Sequence, residues 1–164
     1  MAEIAIITRV STSPLDIAAA DWNALLALQA QPTPFMRHEY LTALHESGSA
    51  TPHTGWTPRF LSLWQGDVLW AACPLYVKSN SYGEYVLAYY PKLLGAVPFT
   101  PVPGTRLMAR DGEARAALVQ ALRDWCTQAG VSSLHLLFAD DTDMDACKAA
   151  GLMQRQTVQF HWKN

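Results

Sequence analysis

The sequence predicts one α/β (α+β) domain over residues 1–164, in which about four helices flank a mixed central sheet. Three observations support this prediction. The length of 164 residues suits a single domain. Half of the residues are apolar, which is enough to bury a core without a disulfide or metal. Apolar residues recur with helical spacing in some segments and alternate in others, so helices and strands are interspersed.

The first half of the chain predicts a strand, two helices and a hairpin. Two pairs of a hydroxyl residue followed by proline indicate helix starts, because the hydroxyl caps the helix and proline fits its first position. Gly48 is expected to end the second helix. The predicted elements are a strand over residues 3–10, helices opening at Ser13-Pro14 and Thr33-Pro34, and strands 59–64 and 68–77 joined by a turn at Gln65-Gly66-Asp67.

The second half predicts alternating strands and helices. These elements are a strand within residues 89–97, a helix over 113–129, a buried strand over 132–139, an acid-capped helix over 140–150 and an alternating strand over 156–162. His135 is expected as a core histidine in mid-strand, with a catalytic role as the alternative. The last strand ends in an uncapped apolar edge, so it is expected to pair with a second domain or another copy of the chain.

Composition argues against several classes of function. The net charge is −2 and lysines and arginines form no run, so DNA binding is not expected. The odd number of cysteines, without a CxxC pair, predicts reduced thiols and a cytoplasmic protein. No apolar stretch has the length of a membrane span, and the N-terminus does not resemble a signal peptide.

Familiar catalytic motifs are absent from the sequence. It contains no GxxxxGK[ST], GxGxxG or GxSxG pattern. His38-Glu39 begins like the helix of a zinc protease, but the next histidine is His45 and not the i+4 residue that the metal needs. No metal site is therefore predicted, and this pair is expected on a helix surface.

The stretch from Lys78 to Arg106 is the candidate functional segment. It combines an amine, hydroxyls, phenols and a carboxylate with closely spaced prolines, and prolines restrict the shape of a loop in advance of binding. The alternative is a rigid connecting loop whose tyrosines cover the edge of the sheet. Composition alone leaves both interpretations open.

The order of elements and three motifs within this segment resemble a known family. A strand, two helices, a hairpin, a further strand and then α-β-α-β is the layout of the GNAT acyltransferase fold. SYGEY at 81–85, YYPKLL at 89–94 and PFTPV at 98–102 resemble the FemAB-like predicted N-acyltransferases of bacteria, which are described as peptidoglycan biosynthesis or recognition proteins. Members of that family are longer, with a second GNAT-like half and a longer link between SYGEYV and YYPKLL. The chain is therefore expected to be a first half.

The resemblance implies transfer of an acyl or aminoacyl group to an amine, with a peptidoglycan precursor as one candidate acceptor. Our hypothesis for the reaction assigns Glu84 as general base, although a surface ion pair with a lysine is an equal alternative for this residue, and Tyr82 and Tyr85 as hydrogen-bond donors. Lys78, Lys92 and Arg106 would hold anionic groups. The remaining candidate substrate contacts are Ser81, Phe99, Thr100, His38 and Glu39.

The donor and partners remain open at this point. Residues 104–112 lack the Arg/Gln-x-x-Gly-x-Gly loop with which acetyl-CoA enzymes of the GNAT fold hold pyrophosphate. Acyl-CoA and aminoacyl-tRNA are both candidate donors, and a small molecule or peptide is the expected acceptor. Two alternatives remain: a recognition module that binds its ligand without chemistry, and an ordinary acetyl-CoA-dependent N-acetyltransferase.

Overall fold

The computed structural model describes residues 5–78, 90–156 and 158. It confirms the α/β prediction, since helices pack on both faces of one mixed sheet. The strands are β1 (Ile6–Ser11), β2 (Trp56–Gln65), β3 (Val68–Lys78), β4 (Lys92–Gly95), β5 (Met108–Ala109) and β6 (Ser133–Leu136). The helices are α1 (Ala19–Ala27), α2 (His38–Glu46), α3 (Gly112–Gln128) and α4 (Asp141–Ala149).

The sheet has the strand order β1-β2-β3-β4-β6, and β5 pairs with β3 beyond the end of β4. Strands β1 to β4 are antiparallel neighbours, whereas β4 and β6 are parallel. A parallel pair needs a long crossover, which α3 supplies. Helix α3 lies on the opposite face of the sheet from α1 and α2.

Strand alternation divides the core into two layers. On the α1/α2 face, Trp22 and Leu41 pack against Phe60 and Tyr76 of the hairpin strands. On the α3/α4 face, the apolar stripe of α3 packs against the other side of the same strands. The buried residues of this second layer include Leu61, Leu75, Leu93, Leu118 and Leu122.

The two predicted α-helix starts, at Ser13-Pro14 and Thr33-Pro34, are wrong, because each opens a 3-10 turn. Each proline opens a single 3-10 turn, Pro14–Asp16 and Pro34–Met36, and the α-helices begin later, at Ala19 and His38. Ser13 forms a capping box with Asp16, so the predicted cap exists but serves a short turn. The residue after each turn is extended, which separates it from the following helix. The predicted end near Gly48 is confirmed, with φ of 75° there.

The predicted strand over 89–97 is shorter than expected because the chain leaves the sheet after Gly95. Gly95, the last residue of β4, pairs with Leu75 of β3. The pairing of β3 resumes at Ala72, which lies opposite Met108 of β5. Residues 96–107 therefore form an excursion between β4 and β5. The sequence prediction missed β5.

The other elements follow the prediction closely. Helix α3 is capped by Asp111 and α4 by Asp140. Of the predicted strand over 156–162, only Gln156 and Val158 are described, and neither is in a strand; the rest lies outside the described residues.

No helix among residues 5–78, 90–156 and 158 is long and apolar enough to cross a membrane. All three cysteines are unpaired.

Candidate functional site

On the α1/α2 face of the sheet, polar side chains of β4 and β6 are exposed or half-buried. Helix α1 packs on β3 and β5, which leaves the β4–β6 end of this face uncovered by that helix. Leu94 and Tyr76 are buried here, but Lys92 and Ser133 are half-buried and His135 is exposed. A ligand can therefore approach polar side chains on this part of the sheet.

The strand register places four polar or aromatic side chains in one row across this face. Trp56 pairs with Lys78, Lys78 with Lys92, and Lys92 with Ser133. Residues in register on neighbouring strands point to the same side of a sheet. His135, two residues beyond Ser133, shares this side. We call Tyr40, Trp56, Lys78, Lys92, Phe99, Ser133 and His135 the open-face cluster.

Trp56 is the centre of the aromatic part of the cluster. Its ring lies 5.7 Å from Tyr76 and 5.5 Å from Phe99, both in edge-to-face geometry. The ammonium of Lys78 lies 4.7 Å from the centroid of the Trp56 ring, which is a cation–π distance. Aromatic surface and positive charge thus meet at one point.

Phe99 has an unusual backbone conformation. Its φ is 60° and its side chain is 61% exposed. A bulky residue in the left-handed region costs about 1–3 kcal/mol and occurs most often at functional sites. The conformation is supported by the next residue: the buried Thr100 hydroxyl donates to the Pro98 carbonyl at 3.1 Å, and its oxygen lies 3.2 Å from the Tyr40 hydroxyl.

Ser133 and His135 form a polar pair on β6. The Ser133 hydroxyl oxygen lies 2.8 Å from Nε2 of His135. The prediction of a buried core histidine is wrong, because this imidazole is exposed. The physical reason is its place in the fold: β6 follows β4 at the end of the described sheet, beyond the strands on which α1 packs.

Arg106 lies in the interior, 1% exposed. Its guanidinium donates to the carbonyls of Val102 at 2.6 Å, Leu137 at 3.1 Å and Gly104 at 3.3 Å. The side chain therefore holds the excursion 96–107 against the end of β6. This position differs from the accessible anion-binding role that the sequence predicts for it.

His38 and Glu39 have different environments although they are neighbours. His38 is buried, with Nε2 2.8 Å from the Pro14 carbonyl and 2.9 Å from that of Ile17. The expected surface position of His38 is therefore wrong, because its ring ties α2 to the segment before α1. Glu39 is exposed, accepts from Asn23 and pairs with Arg37 at 3.2 Å.

A buried acidic pair fixes the excursion from the other side. Asp143 accepts from the main-chain N–H groups of Arg106 at 2.6 Å and Leu107 at 2.9 Å, and lies 3.4 Å from Nε of Arg115. Asp140 accepts from the Thr105 hydroxyl and from the N–H of Asp143. Burial raises the pKa of the Asp143 carboxyl to about 6.

A second concave region lies between α3 and α4. This groove has a volume of about 400 Å³. Its lining consists of Gly112, Arg115, Ala116, Thr142, Ala146, Ala149 and Ala150. Alanines leave the space between the two helices open, while Arg115 supplies its positive charge. Within the described part of the chain, no three His, Cys, Asp or Glu side chains are arranged to bind a metal.

A sequence model of the FemAB-like family, described as peptidoglycan biosynthesis/recognition, matches residues 13–164. The chain belongs to the FemAB-like family. No curated protein sequence matches this FemAB-like chain. The family assignment confirms the resemblance that rests on SYGEY, YYPKLL and PFTPV, and two of these motifs contribute Lys92 and Phe99 to the open-face cluster.

Solved structures show that this FemAB-like chain has the GNAT acetyltransferase fold. An aminoglycoside N-acetyltransferase in complex with CoA has a TM-score of 0.57 at 11% identity, covering 97% of this chain and 95% of that one. A ribosomal-protein-alanine N-acetyltransferase from Brucella melitensis has a TM-score of 0.58 at 15% identity, with 98% and 100% covered. An aminoglycoside 6'-N-acetyltransferase from Acinetobacter baumannii has a TM-score of 0.53 at 14% identity, with 98% and 99% covered.

The structure brings together only part of the predicted site. Lys78, Lys92, Phe99 and Thr100 lie at or beside the open-face cluster. Ser81, Tyr82, Glu84 and Tyr85 lie outside the described residues, so their roles stay predictions. Sequence reasoning assigned no role to Tyr40, Trp56 or Ser133. Strand alternation was the available signal for Ser133, because residues two apart in a strand share a face.

Proposed function

We propose that this FemAB-like chain is an N-acyltransferase domain that transfers an acyl or aminoacyl group from an activated donor to an amine. The observation that supports the proposal is the open-face cluster on a GNAT fold. There a strained and exposed Phe99 packs on Trp56, and two lysines share the face with an exposed imidazole. The candidate acceptor is the peptide of a peptidoglycan precursor, in agreement with the family description.

The cluster suits an acceptor that carries both an amine and carboxylates. Lys78 and Lys92 are direct cross-strand partners, and two adjacent ammonium groups attract an anionic peptide. The same positive charges favour the neutral form of a nearby acceptor amine, since like charges lower the pKa of a cation. A neutral amine is the nucleophile that acyl transfer requires. The rings of Trp56 and Phe99 would contact the apolar part of the acceptor.

The reaction needs a base and a stabilised carbonyl oxygen. The amine nitrogen attacks the acyl carbon and loses a proton to a base. The carbon–nitrogen bond forms, the carbon–sulfur or carbon–oxygen bond of the donor breaks, and the leaving group takes up a proton. The sequence predicts Glu84 as the base and Tyr82 and Tyr85 as hydrogen-bond donors.

The donor is an acyl-CoA or an aminoacyl-tRNA. The α3–α4 groove, with Arg115 at the first turn of α3, is the described concavity in which part of a phosphate-bearing carrier would fit. Arg106 and Arg110, in the segment before α3, donate to main-chain carbonyls. Arg115 donates to the Leu107 carbonyl and to Gln29 and pairs with Asp143, so its charge at the groove is shared with these partners. Both donors are made inside the cell, so the proposal places the protein in the cytoplasm.

Calorimetry separates the donor classes and tests the acceptor site. Coenzyme A and the synthetic stem peptide L-Ala-γ-D-Glu-L-Lys-D-Ala-D-Ala are titrated separately into the full chain. We expect the stem peptide to bind with micromolar to millimolar affinity and to lose affinity in Lys78→Met and Lys92→Met. Lys148→Met, an exposed lysine on α4, is the matched control. Binding of coenzyme A selects the acyl-CoA donor, and its absence favours aminoacyl-tRNA.

A recognition module that binds without chemistry is the second candidate function. Ligands of open α/β sheets often occupy the crevice beyond the carboxyl ends of parallel strands. In this chain the excursion 96–107 fills that position beyond β4 and β6, with Arg106 bonded to Leu137. This observation favours binding on the open face alone. Stem-peptide affinity without turnover of acetyl-CoA or of an aminoacyl-tRNA would select this candidate.

A further inference from the structure

We infer that His135, oriented by Ser133, accepts the proton that the acceptor amine loses during acyl transfer. The inference rests on the function proposed above and gives His135 the catalytic role that the sequence offers as the second interpretation of this residue. Its basis is the 2.8 Å contact between the Ser133 hydroxyl oxygen and Nε2 of His135. A hydroxyl at this distance holds the imidazole in one orientation.

The strand register places this imidazole within the open-face cluster. Ser133 is opposite Lys92 and His135 is opposite Leu94, so the ring lies on the same side of the sheet as the two lysines. His135 comes one residue before Leu136, the last residue of β6 that pairs with β4. The base would thus lie where the paired strands end and the excursion begins.

The chemistry of the side chain suits the proposed role. Imidazole titrates near neutral pH, which suits a general base under cellular conditions.

The proton transfer is balanced as follows. In the tautomer in which Ser133 accepts Nε2–H, Nδ1 of His135 carries the lone pair. Nδ1 takes the proton from the amine as nitrogen attacks the acyl carbon. The imidazolium then returns the proton to the departing thiolate or alkoxide of the donor, which restores the starting state of the ring.

The other described histidines do not occupy an equivalent position. His38 is buried against main-chain carbonyls. His45 lies near the end of α2, and its Nδ1 is buried. His53 is exposed in the 3-10 turn Pro52–Thr54, outside the strands that form the open face. Among the residues that the structure describes, His135 is the histidine that faces the cluster.

The test measures initial rates of acyl transfer by the full chain as a function of pH. Acetyl-CoA and leucyl-tRNA are the two donor probes, and the synthetic stem peptide is the acceptor. The variants are His135→Gln, Ser133→Ala, Ser133→Thr and Glu84→Gln, with His53→Gln as the matched control. We expect His135→Gln to lower kcat by about a hundredfold or more, with KM for the stem peptide unchanged within about threefold. His53→Gln is expected to match the wild type.

Ser133 is a positioning residue, so its substitution should change kcat and the pH profile, whereas substitution of a merely structural serine should change neither. Ser133→Ala is expected to lower kcat by about tenfold and to shift the acidic limb of the pH profile, because the imidazole loses the hydrogen bond that orients it. Ser133→Thr, which keeps the hydroxyl, is expected to restore both.

Each outcome bears on one claim or both. Turnover within threefold of the wild type in His135→Gln, with loss in Glu84→Gln, overturns the role of His135 and leaves the proposed function intact. Absence of turnover by the folded wild type with both donors overturns the proposed function and the inference together. If His135→Gln loses activity and also the circular dichroism spectrum of a folded protein, Ser133→Ala provides the test. A kcat and a pH profile of Ser133→Ala that match the wild type would overturn the inference.

Discussion

The rings of Trp56 and Phe99 lie 5.5 Å apart at an interplanar angle of 62°. Trp56 is the first residue of β2, and Phe99 is an exposed residue with a left-handed backbone. A stability requirement alone does not explain a strained residue that remains 61% exposed. The contact is more easily understood as a preformed surface for a ligand.

Phe99→Ala tests this interpretation. We expect affinity for the stem peptide to fall by about fivefold, which corresponds to the roughly 1 kcal/mol of an aromatic contact. The free energy of unfolding should change by less than about 1 kcal/mol, because the lost ring is already largely exposed. Calorimetry and urea unfolding measure the two quantities. Leu28→Ala, an exposed apolar residue at the end of α1, is the control, and equal affinity in both variants would contradict the role of Phe99.

The position of Trp56 shows how far sequence could predict the site. The hairpin is evident from its turn, and Gln65 pairs with Val68. Continued without interruption, that register would set Trp56 opposite Val77, on the other face from Lys78. A register shift between Leu63 and Trp64 sets Trp56 opposite Lys78 instead. A one-residue shift reverses the face of every side chain, and no turn residue in the sequence marks this bulge.

Lys78 and Lys92 are expected to bind the carboxylates of the acceptor. Lys78→Met and Lys92→Met should each weaken stem-peptide binding by about five- to tenfold, and raising the salt concentration should reduce the wild-type affinity toward that of the variants. Methionine keeps the apolar stem, so the change isolates the charge. Calorimetry at low and high salt provides the measurement. A salt dependence that is the same in the wild type, Lys78→Met and the control Lys148→Met would argue against an anionic acceptor at this row.

Arg106 is expected to be a structural residue. Arg106→Met should lower the free energy of unfolding by about 3 kcal/mol, because the partly buried carbonyls of Val102 and Leu137 lose their donor. Arg123→Met removes one hydrogen bond from an exposed arginine to the Ala150 carbonyl and should cost less than about 1 kcal/mol. Urea unfolding compares the two. Similar small losses in both variants would show that the excursion does not depend on this guanidinium.

The same residue shows where sequence reasoning could not succeed. Arginine in a polar, proline-rich loop is ordinarily exposed, so an anion-binding role was the natural expectation. Its burial depends on the carbonyl of Leu137, which is distant in sequence, as well as on that of Val102, and the carboxyls of Asp140 and Asp143 are nearby. Such tertiary pairing leaves no local pattern. By contrast, the capped helices α3 and α4 were predicted within about two residues, since their signals lie in adjacent positions.

Asp143 is expected to make stability depend on pH. Its folded pKa of about 6 lies above the ordinary value for aspartate, so the folded state holds this proton more tightly than the unfolded state. The stabilisation is complete below the unfolded pKa and is lost as the pH rises through about 6. Relative to Asp143→Asn, the wild type should therefore lose about 2–3 kcal/mol of unfolding free energy between pH 4 and pH 7. Urea unfolding of both proteins across this range measures the difference. A constant difference, or one that grows with pH, would contradict the assignment.

The most direct test of the central claim is mass spectrometry of the stem peptide after incubation with the full chain and each of the two donors. The account predicts a peptide heavier by one acyl or aminoacyl group, attached to the lysine ε-amine, and much less of this product with His135→Gln than with His53→Gln. A stem peptide that binds the folded chain but keeps its mass with both acetyl-CoA and leucyl-tRNA would contradict acyl transfer and would assign the open face to recognition alone.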